Sequence, residues 1–282
     1  MIQRLTVIGV GLLGGSVAKA ARAQGLAREI VGVGRDLRRL EPALADGTLD
    51  RVATDPVAGV AGADFVLLAV PVRTIETLLE PVWRAVPDGA VLTDVGSTKR
   101  GIVRAAERLA ATRPLAFVGG HPMAGSEQSG YGVARADLFR GAVVVLTPTD
   151  TTEPGALKAV TEFWEAMGAR VTQLDPDGHD RAVAAISHLP HLVAYALVEG
   201  VLRFEPAALE LAARGFKDTT RIAAADARVW EEIFLANRDA LSRSLAGFRD
   251  ALGDLQRLIE AEDGDALRAT LDGIRKRREA LR

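Results

Sequence analysis

Six residues near the start of the chain restrict its fold more than any others. Gly9, Gly11 and Gly14 have the spacing Gly-x-Gly-x-x-Gly, directly after the apolar run Arg4–Ile8 and directly before the small-residue stretch Gly15–Ala23. The run reads as a buried β-strand and the stretch as a helix. In such a strand–turn–helix the first glycine permits the tight turn and the second lets the backbone approach a pyrophosphate. The third lets helix and strand pack closely. The helix N-terminus then offers unpaired N–H groups and the positive end of its dipole to phosphate oxygens. Three glycines without flanking elements would say little, but in this setting they predict a dinucleotide-binding βαβ unit. Contacts to the cofactor are expected from Gly9, Gly11, Leu12, Leu13 and Gly14.

The second strand bears on which dinucleotide is bound. Glu29–Val33 ends about 20 residues beyond the glycines, where a carboxylate commonly takes the ribose 2′-hydroxyl of NAD. Gly34 stands there, followed by Arg35 and Asp36. An arginine at this place pairs a 2′-phosphate, so Arg35 leans toward NADP, whereas Asp36 turned inward would restore NAD. A solvated Arg–Asp pair fits the sequence equally well. The cofactor expected is therefore NAD or NADP.

Strand and helix patterns then alternate. Ala63–Pro71 reads as a strand halted by its proline, Ile75–Val86 as a helix, and Ala90–Asp94 as a strand. The loop Asp94–Lys99 leads into a helix over Arg100–Ala111. A short strand, Phe117–Gly120, leads into a glycine-rich loop carrying His121, and strand Ala142–Leu146, helix Pro154–Met167 and strand Arg170–Thr172 complete this half. Repeated β-α-β units imply a mainly parallel sheet with helices on both faces. Ligands of such sheets bind beyond the carboxyl ends of the strands. Pro71, Ser97 and His121 all follow strand ends and should converge on one cleft, with Val70 and Pro71 on its cofactor side. Histidine alone has an ordinary pKa suited to acid and base work near neutrality, so His121 is the expected proton-handling half of a hydride-transfer site.

Past Asp175–Gly178 the pattern is helical throughout: Asp180–Leu202, long and apolar with Pro190 near its start, then Ala207–Ala213, Asp226–Ala236 and Arg238–Glu260. In the last, Leu241, Leu245, Phe248, Leu252, Leu255 and Ile259 form a heptad-like seam, suited to a subunit contact or to packing within its own domain. The charged stretch Arg275–Glu279 reads as a solvated helix end. The expected fold class is α/β, a Rossmann-type parallel-sheet domain over 1–174 followed by an all-helical domain over 175–282.

Composition closes off other classes. The 282 residues, 48% of them hydrophobic, suit one large domain or two medium ones. A net charge of −2 argues against nucleic acid as a partner. No apolar run approaches transmembrane length, and the start is too polar for a signal peptide. The absence of cysteine removes disulfides, thiol nucleophiles and Cys-ligated metals, and fits a cytoplasmic protein. His179, His188 and His191 fall close together and invite a metal reading. Pro190 splits the last two and no zinc-type spacing is present, so no metal is expected. Ser187–His191 reads instead as a polar patch at a helix start facing the cleft. Arg214–Arg221 reads as a glycine-hinged loop before a helix. In it, Arg221 suits a bidentate grip on a carboxylate or the role of a surface charge.

Taken in order, Gly9–Gly14, Asp94–Lys99, Gly120–Glu127, Ser187–His191 and Gly215–Arg221, with Trp230 beyond, resemble the prephenate dehydrogenases of tyrosine biosynthesis over nearly the whole chain. The resemblance implies NAD(P)-dependent oxidative decarboxylation of prephenate to 4-hydroxyphenylpyruvate. It implies that His121 contacts the ring hydroxyl, Ser97 orients it and Arg221 binds the ring carboxylate. His191 and Ser187 would line the pocket, and Glu127 and Asp218 would shape its entrance. It also implies that the helical domain binds substrate and joins two copies into a homodimer, with neither membrane nor nucleic acid as partner. The alternatives are arogenate as substrate, or a dual-specificity cyclohexadienyl dehydrogenase; a hydrogen bond donated by His191 would favour the keto acid over the ammonium of arogenate. A silent dinucleotide sensor is a distant further reading, since it would not require His121 and Ser97. Neither a chorismate mutase nor a regulatory domain is expected, so inhibition by tyrosine would be expected to act at the active site.

Overall fold

The computed structural model describes residues 1–125 and 128–281. The strands are β1 (Ile2–Ile8), β2 (Ala27–Val33), β3 (Arg51–Ala53), β4 (Phe65–Leu68), β5 (Val91–Asp94), β6 (Ala116–Pro122), β7 (Val143–Thr147) and β8 (Arg170–Gln173). Among the described residues they form one sheet in the order β3-β2-β1-β4-β5-β6-β7-β8. Neighbours from β3 through to β6 are parallel, as are β7 and β8; β6 and β7 alone are antiparallel. Successive strand residues face opposite sides of a sheet. Val7 accordingly joins Val17, Ile30 and Trp164 in one core, and Ile8 joins Val33, Ile75 and Trp83 in the other. The strand order reverses between β1 and β4, which opens the crevice where such sheets bind ligands.

The helices on the sheet are α1 (Leu12–Ala23), α2 (Leu37–Ala45), α3 (Pro56–Gly59), α4 (Val72–Ala85), α5 (Arg100–Ala110) and α6 (Pro154–Ala166). α2 and β3 have no counterpart in the sequence reading. α2 is short, charged and carries Pro42, so its apolar stripe is thin, and Asp36 caps it by accepting from the Arg38 amide.

Five expectations are corrected. His121 lies within β6 rather than in a loop, because pairing with β7 extends the strand to Pro122 and sets His121 opposite Val145. The Ser187–His191 patch sits inside a continuous helix, not at a helix start. α7 (Pro176–Val183) passes through a π-helical turn (Ala184–His188) into α8 (Leu189–Phe204). Pro190 lacks an N–H and its ring crowds the carbonyl four residues back; the wider turn just before it relieves both problems. This 29-residue helix, with mean hydropathy 1.3 in its most apolar window, is also long and apolar enough to cross a bilayer, contrary to the sequence expectation. It carries His188, whose ring is buried.

The fourth correction concerns Arg214–Arg221. Arg214–Thr220 is a helix, α9, and Arg221 opens a 3-10 turn to Ala224. The Thr219 and Thr220 hydroxyls donate to carbonyls one turn back, and Arg214 pairs with Asp218 at 3.3 Å, so Gly215 is no hinge. Likewise the helix expected at Ala207–Ala213 is a 3-10 turn, Pro206–Leu211, and α10 (Ala227–Ala236) follows.

Backbone contacts divide the chain into two compact units, Met1–Asn237 and Arg238–Arg282. The change from sheet to helix, after Gln173 and before Pro176, falls inside the first. The second comprises α11 (Arg238–Glu260) and α12 (Gly264–Glu279), which pack on each other.

Candidate active site

The glycine turn fits a dinucleotide on its own geometry. Gly9 has φ +98°, a left-handed conformation that a side chain would strain, and a Cβ there would stand 2.6 Å from Val70 Cγ1. A Cβ on Gly14 would lie 2.0 Å from the Gly9 carbonyl oxygen, so only glycine permits this closure. A Cβ on Gly11 would meet nothing within 4 Å, leaving open space above the helix. Gly11 caps α1 without a side chain, so the first-turn amides from Leu12, Leu13 and Gly14 remain available to phosphate oxygens. Pro71 caps α4 beside this turn. At the ribose end Gly34 brings no carboxylate. Asp36 is engaged by the Arg38 amide and guanidinium, while the exposed Arg35 side chain has no ion pair among the described residues.

Beyond β5 and β6 lies a buried polar cluster. Lys99 and Asp94 are fully buried and ion-paired. Lys99 Nζ donates to the Gly120 carbonyl at 2.7 Å, and Asp94 accepts from the amides of Gly96 (2.7 Å) and Gly120 (3.1 Å). Gly120 must be glycine, because a Cβ would come within 2.8 Å of the Asp94 carbonyl. This clamp fixes the residue before His121. Burial drives the Lys99 ammonium below its ordinary pKa, opposed by Asp94 and Asp180.

His121 Nδ1 lies 2.9 Å from His179 Nε2, and His179 Nδ1 lies 2.8 Å from Asp180 Oδ1. Asp180 also accepts from the amides of Lys99 (2.8 Å) and Arg100 (3.1 Å), at the start of α5. Burial would raise the Asp180 carboxyl, but the bond from His179 and those amides outweigh it and hold it below the ordinary range. His121 is held well below the ordinary imidazole value, by burial first and then by His179, Lys99 and His188. Burial lowers His179 as well, against the pull of Asp180. His121 is therefore neutral at physiological pH, the form that accepts a proton. Ser97 sits half-buried in the loop between β5 and α5.

A second group surrounds His191. Its Nδ1 donates to the Ser187 carbonyl at 2.9 Å, and its ring stacks on Trp230 with centroids 3.5 Å apart. Burial lowers its pKa and the Arg221 charge lowers it further, which places Arg221 within electrostatic reach. His188 is buried, accepts from Asn237 Nδ2 at 3.2 Å and is pushed down to about 4. The Asn237 amide also donates to the Asp180 carbonyl at 2.7 Å. Asp218 is exposed on α9, paired with Arg214; Glu127 lies outside the described residues. The sequence reading gave no role to Asp94, Lys99, His179, Asp180 or Asn237. An adjacent His–Asp pair opening the helix after the last strand was the available signal.

A dinucleotide turn combined with a neutral, half-buried imidazole is the equipment of a dehydrogenase, an enzyme that removes a hydride and a proton from one carbinol group. Comparison with known proteins narrows the class. Residues 17–173 match the nucleotide-binding domain of prephenate dehydrogenase, and residues 175–273 match its dimerization domain. The chain belongs to the prephenate dehydrogenase family. It is 33% identical over 271 residues to prephenate dehydrogenase of Bacillus subtilis, covering 95% of this chain and 73% of that one. It is 32% identical over 288 residues to cyclohexadienyl dehydrogenase of Zymomonas mobilis, covering 100% and 97%. The solved prephenate dehydrogenase of Aquifex aeolicus, in complex with hydroxyphenyl propionate and NAD+, superposes with TM-score 0.94 at 34% identity, covering 100% of this chain and 99% of that one.

Proposed function

We propose that this enzyme oxidises prephenate to 4-hydroxyphenylpyruvate and CO2, with His121 as the base. NAD or NADP, held at the Gly9–Gly14 turn, would supply the acceptor for the hydride leaving the ring carbon that bears the hydroxyl. His121 Nε2 takes the hydroxyl proton, which eases formation of the carbonyl, an effect worth roughly 10²–10⁴ in rate. Loss of the ring carboxylate as CO2 then aromatises the ring, and the imidazolium returns its proton to the phenolate oxygen. Ser97 orients the hydroxyl and Arg221 holds the ring carboxylate in position. Ser187 and His191 line the pocket, with Asp218 at its entrance. Residues 1–174 bind the dinucleotide. Residues 175–282 bind substrate and join two copies into a homodimer, in a cytoplasmic enzyme. Arg35 beside an engaged Asp36 favours NADP over NAD.

The observation that carries this reading is the half-buried, neutral His121 near the end of β6 in a dinucleotide fold. His121→Asn should lower kcat by about 10²-fold or more with little change in KM. In the native enzyme the acid limb of the kcat/KM profile should have its midpoint below pH 6.5, since burial depresses His121; in the variant that limb should vanish. Native-like turnover by the variant would return His121 to a structural role.

A second reading rests on His191. Its Nδ1–H is committed to Ser187 and its ring is neutral, so Nε2 offers a lone pair and not the donor expected from sequence. An acceptor suits the ammonium of arogenate. The preference for prephenate drawn from His191 as donor therefore loses its basis, and use of both substrates gains support. Paired steady-state assays with prephenate and arogenate decide between the two. Arg221→Ala should weaken both, by about 2–5 kcal/mol where that charge pair is desolvated.

A further inference from the structure

We propose that Asp180 and His179 are positioning residues that fix the tautomer of His121, so that its Nε2 and not its Nδ1 is the bare nitrogen facing substrate. The inference rests on the reading of His121 as base. It follows from one end of a hydrogen-bonded chain to the other. Asp180 is a carboxylate already accepting from the amides of Lys99 and Arg100. An ionised carboxylate only accepts, so His179 Nδ1 carries the hydrogen directed at Asp180 Oδ1. A neutral His179 then presents a lone pair at Nε2. That lone pair lies 2.9 Å from His121 Nδ1, which must donate into it. The remaining nitrogen of His121, Nε2, is left as acceptor.

The same chain supports the charge that forms on proton uptake. The charged groups facing the two rings are Lys99, Asp94 and Asp180, with His188 as a neutral neighbour. Lys99 and Asp94 offset each other as an ion pair. Asp180 is the anion left to balance an imidazolium at His121, acting through His179, much as a buried aspartate orients the histidine of a hydrolase triad. Without the acceptor, an imidazole in this site would be free to place its hydrogen on Nε2, where it cannot take the substrate proton.

Two substitutions separate positioning from bulk. The amide of asparagine reaches the place of Nδ1, so His179→Asn keeps a donor to Asp180 and loses the acceptor for His121. Glutamine reaches the place of Nε2, so His179→Gln keeps that acceptor. His179→Asn should lower kcat about 10²-fold with KM for prephenate unmoved, and His179→Gln should recover most of the loss. In ring-nitrogen NMR of ¹⁵N-histidine-labelled enzyme without ligands, His121, assigned by its loss in His121→Asn, should show a protonated Nδ1 and a bare Nε2. In His179→Asn the Nε2-protonated form should appear. A native His121 protonated at Nε2 overturns the proposal, and so does an equal loss of kcat in both His179 variants. Full activity in His179→Asn while His121→Asn is inactive overturns the positioning role alone; full activity in His121→Asn overturns the base itself. If neither His179 variant folds, the native spectrum still decides.

Discussion

At the scale of single residues, the cofactor turn and the base differ in how plainly the sequence states them. Gly9 and Gly14 were legible because each answers a backbone requirement that no other residue meets, as the 2.0 Å approach at Gly14 shows, while Gly11 leaves open space for a ligand. His121 was legible as a chemical type, but its environment was not. His179 and Asp180 come 58 and 59 residues later, and only tertiary structure brings them to it. The donor state of His191 was misread for a related reason: a backbone carbonyl one turn back, invisible as a letter, takes its Nδ1 hydrogen. Arg35 provides a test at this scale. Because Asp36 is occupied in capping α2 and Gly34 has no side chain, Arg35→Ala should raise the KM for NADP and leave that for NAD nearly unmoved. Equal effects on the two cofactors would remove Arg35 from 2′-phosphate recognition.

At the scale of elements, the strand and helix boundaries of the first half followed from periodicity, and the departures have local causes. β6 runs on through His121 because β7 supplies an antiparallel partner, and pairing across a sheet leaves no mark on one strand alone. α9 escaped because glycine and threonine are poor helix formers, and its i,i+4 bonds offset them. The Asp94–Lys99 pair, which joins β5 to the start of α5, is fully buried. Lys99→Met would strand the Asp94 charge, at a cost of about 3–5 kcal/mol in urea unfolding; a loss under 1 kcal/mol would mean that water reaches the carboxylate. His188, in the helix after β8, ties stability to pH. It titrates near 4 when folded and at an ordinary 6.5 when unfolded. Between those values the unfolded chain binds more protons, so stability is full above pH 6.5 and declines as pH falls toward 4. The decline from this one group is about 3 kcal/mol. His121 and His179 add in the same direction. Unfolding free energies that stay flat from pH 7 to pH 4 would contradict this.

At the scale of the whole molecule, family membership and the sheet-to-helix order were both legible, since one rests on five short motifs in sequence and the other on a change of period after residue 174. Assembly was less so, because a seam in sequence does not say what it meets. In the structure Leu252 and Ile259 of α11 are 53% and 61% exposed, and Phe204 at the end of α8 is 92% exposed. Residues 175–273 match a dimerization domain. Light scattering at micromolar concentration should show a homodimer. Leu252→Glu together with Ile259→Glu should shift it toward monomer if α11 takes part, and a native enzyme that runs as a monomer would refute the assembly.

The π-helical turn carries a consequence for how sequence spacing maps onto direction. His179 and His191 are twelve positions apart, and in an unbroken α-helix their side chains would point about 120° apart. One surplus residue absorbed in the wide turn returns that phase to about 20°. The two histidines can thus look the same way, one toward the acid–base chain and one toward Trp230 and Arg221. Deleting a single residue such as Ala185 would be easy on the helix, which becomes regular, and hard on the site, whose lower end swings by about 100°. The surplus residue is a setting of angle, and the proline after it keeps that setting from relaxing.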